Sequence, residues 1–107
     1  MAVDLNRENY EKEVSEPTQT VLVDFWGPQC VPCLALNPTL EKIEEQYTEK
    51  LKVCKVNATE NRMLCVGLRV LGLPTFILYK DGNEVNRITG DDINEKGLIE
   101  AVEAVIE

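Results

Sequence analysis

The alternation of hydrophobic and polar positions predicts five strands. They are residues 2–5, 20–26, 51–57, 75–80 and 84–89. Thr20–Trp26 (TVLVDFW) is β-branched and almost wholly apolar, which is typical of a strand covered on both faces. The last two strands flank an Asp-Gly-Asn segment at residues 81–83. Because such a segment favours a tight turn, these strands are expected to form an antiparallel hairpin.

The helical period appears in four other segments: residues 7–14, residues 30–49, residues 60–67 and the segment that follows Asn94. In the second of these, apolar residues recur at intervals of four, three and four, at Leu36, Leu40, Ile43 and Tyr47. Pro38 lies inside this helix and predicts a kink, because proline has no amide hydrogen for the helical hydrogen-bond ladder.

Capping residues support the ends of the other helices. Asn6 is a plausible N-cap for the first helix, and Gly67 is expected to end the third. Ile93 and Leu98 are spaced for a hydrophobic staple at the start of the last helix. That helix is expected to bury its apolar side chains, which are Leu98, Val102, Val105 and Ile106.

The elements follow one another in the order βαβαβαββα. Strands that are joined through helices form the parallel part of a sheet, and the terminal hairpin adds an antiparallel edge. The sequence therefore predicts an α/β fold, with a central mixed sheet and helices on both faces. The length of 107 residues fits a single domain over residues 1–107.

Composition narrows the range of functions. The formal net charge of −8 argues against binding to nucleic acid or to an anionic membrane. The chain contains no histidine, which excludes histidine-based acid–base chemistry and histidine-containing zinc sites. The first ten residues show no apolar signal segment, and no apolar run is long enough to cross a membrane. A cytoplasmic location is expected, where thiols stay reduced.

The most informative motif is Cys30-Val31-Pro32-Cys33, which lies where a buried strand gives way to a helix. Two cysteines at this spacing lie on one helix face, close enough to form a disulfide. Cys30 lies among amide groups with no intrahelical partner, which favour its thiolate, the attacking species. Cys33 lies one turn further on and is expected to be more buried, as a resolving thiol. The motif predicts dithiol–disulfide exchange in two steps.

Half of a zinc site is the alternative interpretation of this motif. A zinc site would need a second pair of ligands, but Cys54 and Cys65 are eleven residues apart and fall on different predicted elements. Their simplest interpretation is that of small buried hydrophobic residues, with a regulatory redox role as the alternative. We expect no metal and no bound cofactor.

Several spaced segments together resemble the thioredoxin family along nearly the whole chain. They are VLVDFWGPQCVPC at residues 21–33, Pro38, KVNA at residues 55–58, GLPTF at residues 72–76, and Gly90. The resemblance implies the thioredoxin fold, with five strands flanked by four helices. It also implies reduction of disulfides in target proteins by a monomer. A thioredoxin reductase, of the flavin or the iron–sulfur type, would then restore the dithiol.

Two charged residues in the predicted strands also match the family. Asp24 is a carboxylate inside an apolar strand, where burial costs free energy and raises the pKa. The resemblance implies that Asp24 lies beneath the resolving cysteine and exchanges protons with it; the alternative is a solvent-facing position. Lys55 matches a family lysine near that aspartate, with a solvated strand lysine as the alternative.

The remaining matches lie where the family binds its substrate. The resemblance implies that Pro74 follows a cis peptide bond, faces the cysteines and leaves backbone groups beside it, at Leu73, free to pair with an extended substrate. Trp26 is implied to pack against the active-site loop, with a core position as the alternative. Gly90 is implied to lie on the substrate-facing surface, where a missing side chain allows close approach, with an ordinary turn glycine as the alternative.

The residues around the cysteines depart from the family pattern. The family usually has an aromatic residue before the first cysteine and glycine between the cysteines, where this chain has Gln29 and Val31; Pro32 matches. Leu34 replaces the basic residue that commonly follows the second cysteine. These changes affect the apolar patch that meets the substrate. Besides a general reductant, a specialised reductant for one partner and a redox-silent binding module remain as alternatives.

Overall fold

The computed structural model describes residues 2–106, and a five-stranded mixed sheet forms its centre. The strands are β1 (Val3–Asp4), β2 (Thr20–Trp26), β3 (Leu51–Asn57), β4 (Thr75–Lys80) and β5 (Asn83–Thr89). Their order in the sheet is β1-β3-β2-β4-β5. β3 pairs in parallel with β1 and β2, while β4 is antiparallel to both β2 and β5. The predicted mixed sheet is therefore confirmed, with β2 at its centre.

The helices are α1 (Tyr10–Ser15), α2 (Val31–Ala35), α3 (Asn37–Gln46), α4 (Arg62–Gly67) and α5 (Glu95–Val105). The continuous kinked helix predicted for residues 30–49 is divided at Leu36 into α2 and α3, and it ends earlier, at Gln46. Pro38 explains the division, because it cannot donate a hydrogen bond to the carbonyl four residues earlier. Counted with α2 and α3 as one interrupted helix, four helices flank the sheet.

Two hydrophobic clusters fill the space between the sheet and the helices. The alternate residues Val21, Val23 and Phe25 of β2 belong to one cluster, which α1 and α4 cover. Leu22 belongs to the other, together with residues of α3 and α5. Both faces of β2 are thus buried, as its apolar sequence predicts. Asp24 shares the face of Leu22, because side chains alternate along a strand.

Local hydrogen bonds explain where element ends differ from prediction. The first helix begins at Tyr10 rather than at residue 7, since residues 7–9 form a turn. The N-cap of α1 is therefore Asn9, and the prediction of Asn6 as the N-cap is wrong. Asn6 caps the preceding turn instead: its side-chain oxygen accepts from the amides of Glu8 and Asn9, and its own amide donates to Oδ1 of Asn9. The last helix begins directly after Asn94, as predicted, and the Asn94 side chain caps it by accepting from the Gly97 amide.

Three smaller predictions need adjustment. The hairpin turn has only two residues, Asp81 and Gly82, both with positive φ, so Asn83 already belongs to β5. The helix that ends at Gly67 begins at Arg62, two residues later than predicted. Val105, the last residue of α5, is half-buried rather than buried.

Within residues 2–106, none of the helices has both the length and the apolar character needed to span a lipid bilayer.

Candidate active site

The two cysteines of the Cys30–Cys33 pair form a disulfide at the start of α2, with their Cα atoms 5.2 Å apart. Cys30 is the N-cap of the helix and is partly exposed, whereas Cys33 is only 1% exposed. The Cys33 amide donates a hydrogen bond to Sγ of Cys30 at 3.2 Å. Cys30 is therefore the sulfur that an incoming molecule can reach, and it has a backbone donor beside it.

The loop before the disulfide packs against the segment that precedes β4. A Cβ atom added at Gly27 would lie 3.3 Å from Cδ1 of Leu73, so the two segments approach closely at this glycine. The Gly27 carbonyl also accepts a hydrogen bond from the Cys30 amide at 3.0 Å. The approach of Gly27 to Leu73 brings two segments that are distant in the sequence into contact at the active-site loop.

Pro74 lies in the segment that precedes β4, and hydrogen bonds fix the backbone on both sides of it. The Leu73–Pro74 peptide bond is cis. The Pro74 carbonyl accepts a hydrogen bond from the Gly90 amide at 3.0 Å, and the φ of Gly90 is +123°, in a region that favours glycine. Thr75 donates to the Gly72 carbonyl at 2.6 Å, which fixes the chain before β4. These contacts bring Leu73, Pro74 and Gly90 together.

The residues around the disulfide leave an apolar surface open to solvent. Val31 is 74% exposed and Leu34 is 41% exposed. Gln29 is also exposed, and Pro32 is half-buried. The departures from the family pattern at positions 29, 31 and 34 therefore all lie on the accessible surface.

Asp24 is completely buried beneath this region, so the solvent-facing alternative is wrong. Its carboxylate oxygens accept no hydrogen bond from any residue between positions 2 and 106. Burial raises the pKa of Asp24 from its ordinary value of 3.8 to about 7, although the Lys55 ammonium opposes the shift. Asp24 can therefore both bind and release a proton near neutral pH.

Asp24 and Cys33 are both buried, on β2 and on α2. Cys33 and Leu36 are on the buried side of the helix, and Leu36 packs in the cluster that contains Leu22. Leu22 and Asp24 are on the same face of β2. The helical segment that carries Cys33 therefore packs on the face of β2 that carries Asp24.

Lys55 is in register with Asp24 on the adjacent strand, and its side chain is 24% exposed. Its Nζ lies 4.0 Å from Oδ2 of Asp24, which is too far for a hydrogen bond. The ammonium instead donates to Oδ1 of Asn37 at 2.9 Å. It also lies 5.8 Å from the centre of the Trp26 ring. Trp26 is half-buried, with a buried Nε1 that donates to none of the described residues.

Asn37 is a site residue that sequence reasoning missed. A signal was available, because Asn37 follows Cys33 by four residues, a spacing that would place both on one side of the continuous helix predicted from the sequence. The partner of Asn37 could not be deduced in this way, since Lys55 is 18 residues further along the chain.

Cys54 and Cys65 belong to the hydrophobic cluster that α1 and α4 cover. Both are free thiols, and both are buried. Burial raises the pKa of Cys54 to about 11 and also raises the pKa of Cys65. Over the described residues, no group of three or more Cys, Asp or Glu side chains is arranged to hold a metal ion.

Comparison with known protein families and sequences agrees with the family resemblance seen in the sequence. The sequence matches the thioredoxin family profile over residues 1–104. The chain belongs to the thioredoxin family. Thioredoxin of Acetoanaerobium sticklandii is 40% identical over 89 residues, which cover 83% of this chain and 85% of that protein. Thioredoxin 1 of Synechococcus elongatus is 38% identical over 81 residues, 76% of each chain.

A solved structure supports the fold as well. A mutant thioredoxin from Halobacterium salinarum NRC-1 superposes with a TM-score of 0.86, at 29% identity, over 99% of this chain and 91% of that one. The thioredoxin fold predicted from the sequence is confirmed. With its family and its Cys30–Cys33 pair, this thioredoxin-family protein is a protein dithiol–disulfide oxidoreductase.

We predict that the buried cysteines take no part in turnover. A double variant, Cys54→Ala with Cys65→Ala, is expected to keep most of the disulfide-reductase activity, because protonated buried thiols are poor nucleophiles. Its free energy of unfolding should fall by a few kcal/mol in total, from the cavities left by two small side chains. Activity should be measured where the variant is fully folded by circular dichroism. A large loss of turnover under those conditions would show that one of these thiols participates.

Proposed function

We propose that Cys30 is the nucleophile and Cys33 the resolving thiol in the reduction of target-protein disulfides. The difference in exposure between the two sulfurs carries this proposal, since only Cys30 is accessible to a large substrate. The Cys33 amide beside Sγ of Cys30 would stabilise negative charge there. The same donor would therefore favour the thiolate form of Cys30, which is the form that attacks the target disulfide.

The reaction proceeds in two balanced steps. The Cys30 thiolate attacks one sulfur of the target disulfide, forms a mixed disulfide and releases the other target sulfur as a thiolate. The Cys33 thiol then loses its proton and attacks Sγ of Cys30. This step forms the Cys30–Cys33 disulfide and releases the second target thiolate. Two electrons pass to the target, and the two thiols supply them without any bound cofactor.

Asp24 is proposed to take the proton from Cys33 in the second step. A carboxylate with a pKa of about 7 is half ionised at neutral pH, so it can accept this proton and later return it. Its buried oxygens accept hydrogen bonds from none of the residues described, which leaves them available to a thiol. Lys55 is proposed to moderate the proton affinity of Asp24 through its positive charge.

The target polypeptide is proposed to bind across the surface around the disulfide. Trp26, Gln29, Val31 and Pro32 would form one side and Leu73, Pro74 and Gly90 the other. The backbone groups of Leu73 make no hydrogen bond to the rest of residues 2–106, so they are available to an extended substrate strand. The exposed side chain of Val31 favours targets with apolar residues beside their disulfide.

Family membership and composition support proposals for the oligomeric state, the cellular location and the partners of the protein. We propose a monomeric, cytoplasmic protein in which residues 1–107 form a single domain. A thioredoxin reductase of the flavin or the iron–sulfur type would return the disulfide to the dithiol. Neither nucleic acid nor a membrane is a proposed partner, because the net charge of −8 repels polyanions and anionic lipids.

Insulin reduction separates this proposal from a redox-silent binding role. With dithiothreitol as electron source, the wild-type protein is expected to accelerate insulin precipitation, and Cys30→Ser is expected to match the rate without protein. Replacing dithiothreitol with NADPH and a flavin reductase, or with reduced ferredoxin and its reductase, identifies the electron donor. Equal rates for the wild type and Cys30→Ser would contradict the proposed chemistry.

A further inference from the structure

We propose that Asn37 is a positioning residue that holds the Lys55 ammonium away from Asp24, and so limits how strongly Lys55 stabilises the Asp24 carboxylate. The inference rests on the proposed role of Asp24 in the resolving step. It concerns a residue that has no direct contact with the reacting sulfurs. Its chemical basis is a competition between two acceptors for one ammonium group.

The geometry of the three residues shows which acceptor is favoured. The ammonium donates to the neutral amide oxygen of Asn37 at 2.9 Å, while the nearest carboxylate oxygen of Asp24 is 4.0 Å away. An ammonium group has no acceptor, so the oxygen end of the amide must face it. A lysine this close to a buried carboxylate would ordinarily form the charge-assisted hydrogen bond, which has a length of about 2.8 Å. Asn37 replaces that bond.

The position of Asn37 is fixed by the division of the helix. Asn37 is the first residue of α3, directly after Leu36 and before Pro38. Its side chain therefore projects from a helix start that is anchored by the buried residues Thr39 and Leu40. Lys55 is held from the other side, because β3 lies between β1 and β2. Small movements of the amide are thus restricted.

Other charged groups face the ammonium from two clefts that reach Lys55. One cleft lies between β1, β3 and α3, and the other lies between β1, β3 and the segment before α4. The charged residues that line them, besides Lys55, are Asp4, Glu41, Glu44, Glu45 and Glu60. All are acidic, so both clefts beside Lys55 carry negative charge. On the inner side, β2 contributes Asp24 itself.

As a result, the Lys55 ammonium stabilises the ionised carboxylate of Asp24 less than it would at hydrogen-bond distance. Coulomb attraction varies as the inverse of distance, so closing the gap from 4.0 Å to about 2.8 Å would strengthen it by roughly 40% and add a hydrogen bond. Asp24 would then be ionised at lower pH. By retaining Lys55, Asn37 keeps the proton affinity of Asp24 suited to exchange near neutrality.

The test is a titration of the Asp24 carboxyl carbon by ¹³C NMR in the oxidised protein. In Asn37→Ala, Lys55 is free to bond with Asp24, and the titration midpoint is expected to fall by about one pH unit. In Asn37→Asp, a carboxylate competes for Lys55 and adds negative charge, so the midpoint is expected to rise. Gln46→Ala, an exposed substitution at the end of the same helix, is the control and should leave the midpoint unchanged.

A second variant shows whether the effect passes through Lys55. When Lys55 is replaced by methionine, Asn37→Ala is expected to cause no further change in the Asp24 midpoint. A shift of the same size in that background would overturn the inference, as would an unchanged or raised midpoint in Asn37→Ala alone.

The pH dependence of the resolving step distinguishes this inference from the proposed function. If both are correct, the rate profile of Asn37→Ala moves to lower pH together with the titration midpoint. If the midpoint moves and the rate profile does not, Asn37 still positions Lys55, and the proton transfer by Asp24 is refuted. If the midpoint stays fixed while Asp24→Asn slows resolution, the role of Asp24 stands and that of Asn37 is refuted.

Discussion

The Cys33→Ser variant is expected to stop at the mixed disulfide and to lose turnover completely. A serine hydroxyl cannot attack a disulfide, so the target stays bonded to Cys30 once the first step has occurred. The complementary variant, Cys30→Ser, is expected to trap no target, because its remaining thiol at Cys33 is only 1% exposed. Intact-protein mass spectrometry after mixing with insulin measures the trapped species directly.

The experiment is cleanest in a background that also carries Cys54→Ala and Cys65→Ala, where each variant retains a single thiol. Peptide mapping of the trapped adduct should place insulin on Cys30. An adduct at Cys33 in the Cys30→Ser variant, formed at a similar rate, would reverse the assignment of nucleophile and resolving thiol. Insulin turnover should be absent from both variants, which confirms that two thiols are needed.

The Asp24→Asn variant is expected to show two effects of opposite sign. It should be more stable than the wild type above neutral pH, by on the order of 3 kcal/mol, because a buried unpaired charge is removed. It should also resolve mixed disulfides more slowly near pH 7, by about tenfold to a hundredfold, because the general base is lost. No simple packing defect produces this combination.

The stability difference has a defined dependence on pH. The pKa of Asp24 is about 7 in the folded protein and close to 3.8 when the chain unfolds. Between these values the folded state retains a proton that the unfolded state has lost, so the stability of the wild type falls as pH rises from about 4 to about 7. The advantage of Asp24→Asn should therefore be small at pH 4 and reach its full value above pH 7.

Urea denaturation of the oxidised proteins at several pH values measures this difference without interference from the active-site thiols. Asp4→Asn is a matched control, since Asp4 flanks Lys55 on β1 as Asp24 does on β2, but is exposed. Asp4→Asn should change neither stability nor resolution. A constant stability difference between pH 4 and pH 8 for Asp24→Asn would mean that Asp24 does not titrate near neutrality.

The kinetic defect of Asp24→Asn should shrink as pH rises, because Cys33 then ionises without help. Stopped-flow measurement of mixed-disulfide resolution at pH 6 to 9 tests this. A defect that stays constant over that range would argue that Asp24 positions Cys33 and does not accept its proton.

Much of this fold could be predicted from local sequence pattern. The bounds of β2, β3 and β4 agree with prediction. β2 and β4 are apolar runs that are buried on both faces, whereas β3 alternates buried residues with half-buried lysines. Helix ends were less accurate: the reciprocal bonds of Asn6 and Asn9 stabilise a turn where the apolar period predicts the first helical residues. Short-range polar contacts of this kind compete with the helix and leave little trace in the hydrophobic pattern.

By itself, the sequence determined the chemistry of this protein. The spacing of Cys30 and Cys33 at a strand-to-helix junction predicts the disulfide, and the apolar neighbours of Asp24 predict its burial, because both depend on residues close together in the chain. Only the tertiary structure decided which strand lies beside β2, and so that Lys55 faces Asp24. It also decided that Asn37, at the start of α3, accepts the hydrogen bond from Lys55. Periodicity reveals which face of an element is buried, but contacts between distant elements depend on how those faces pack together.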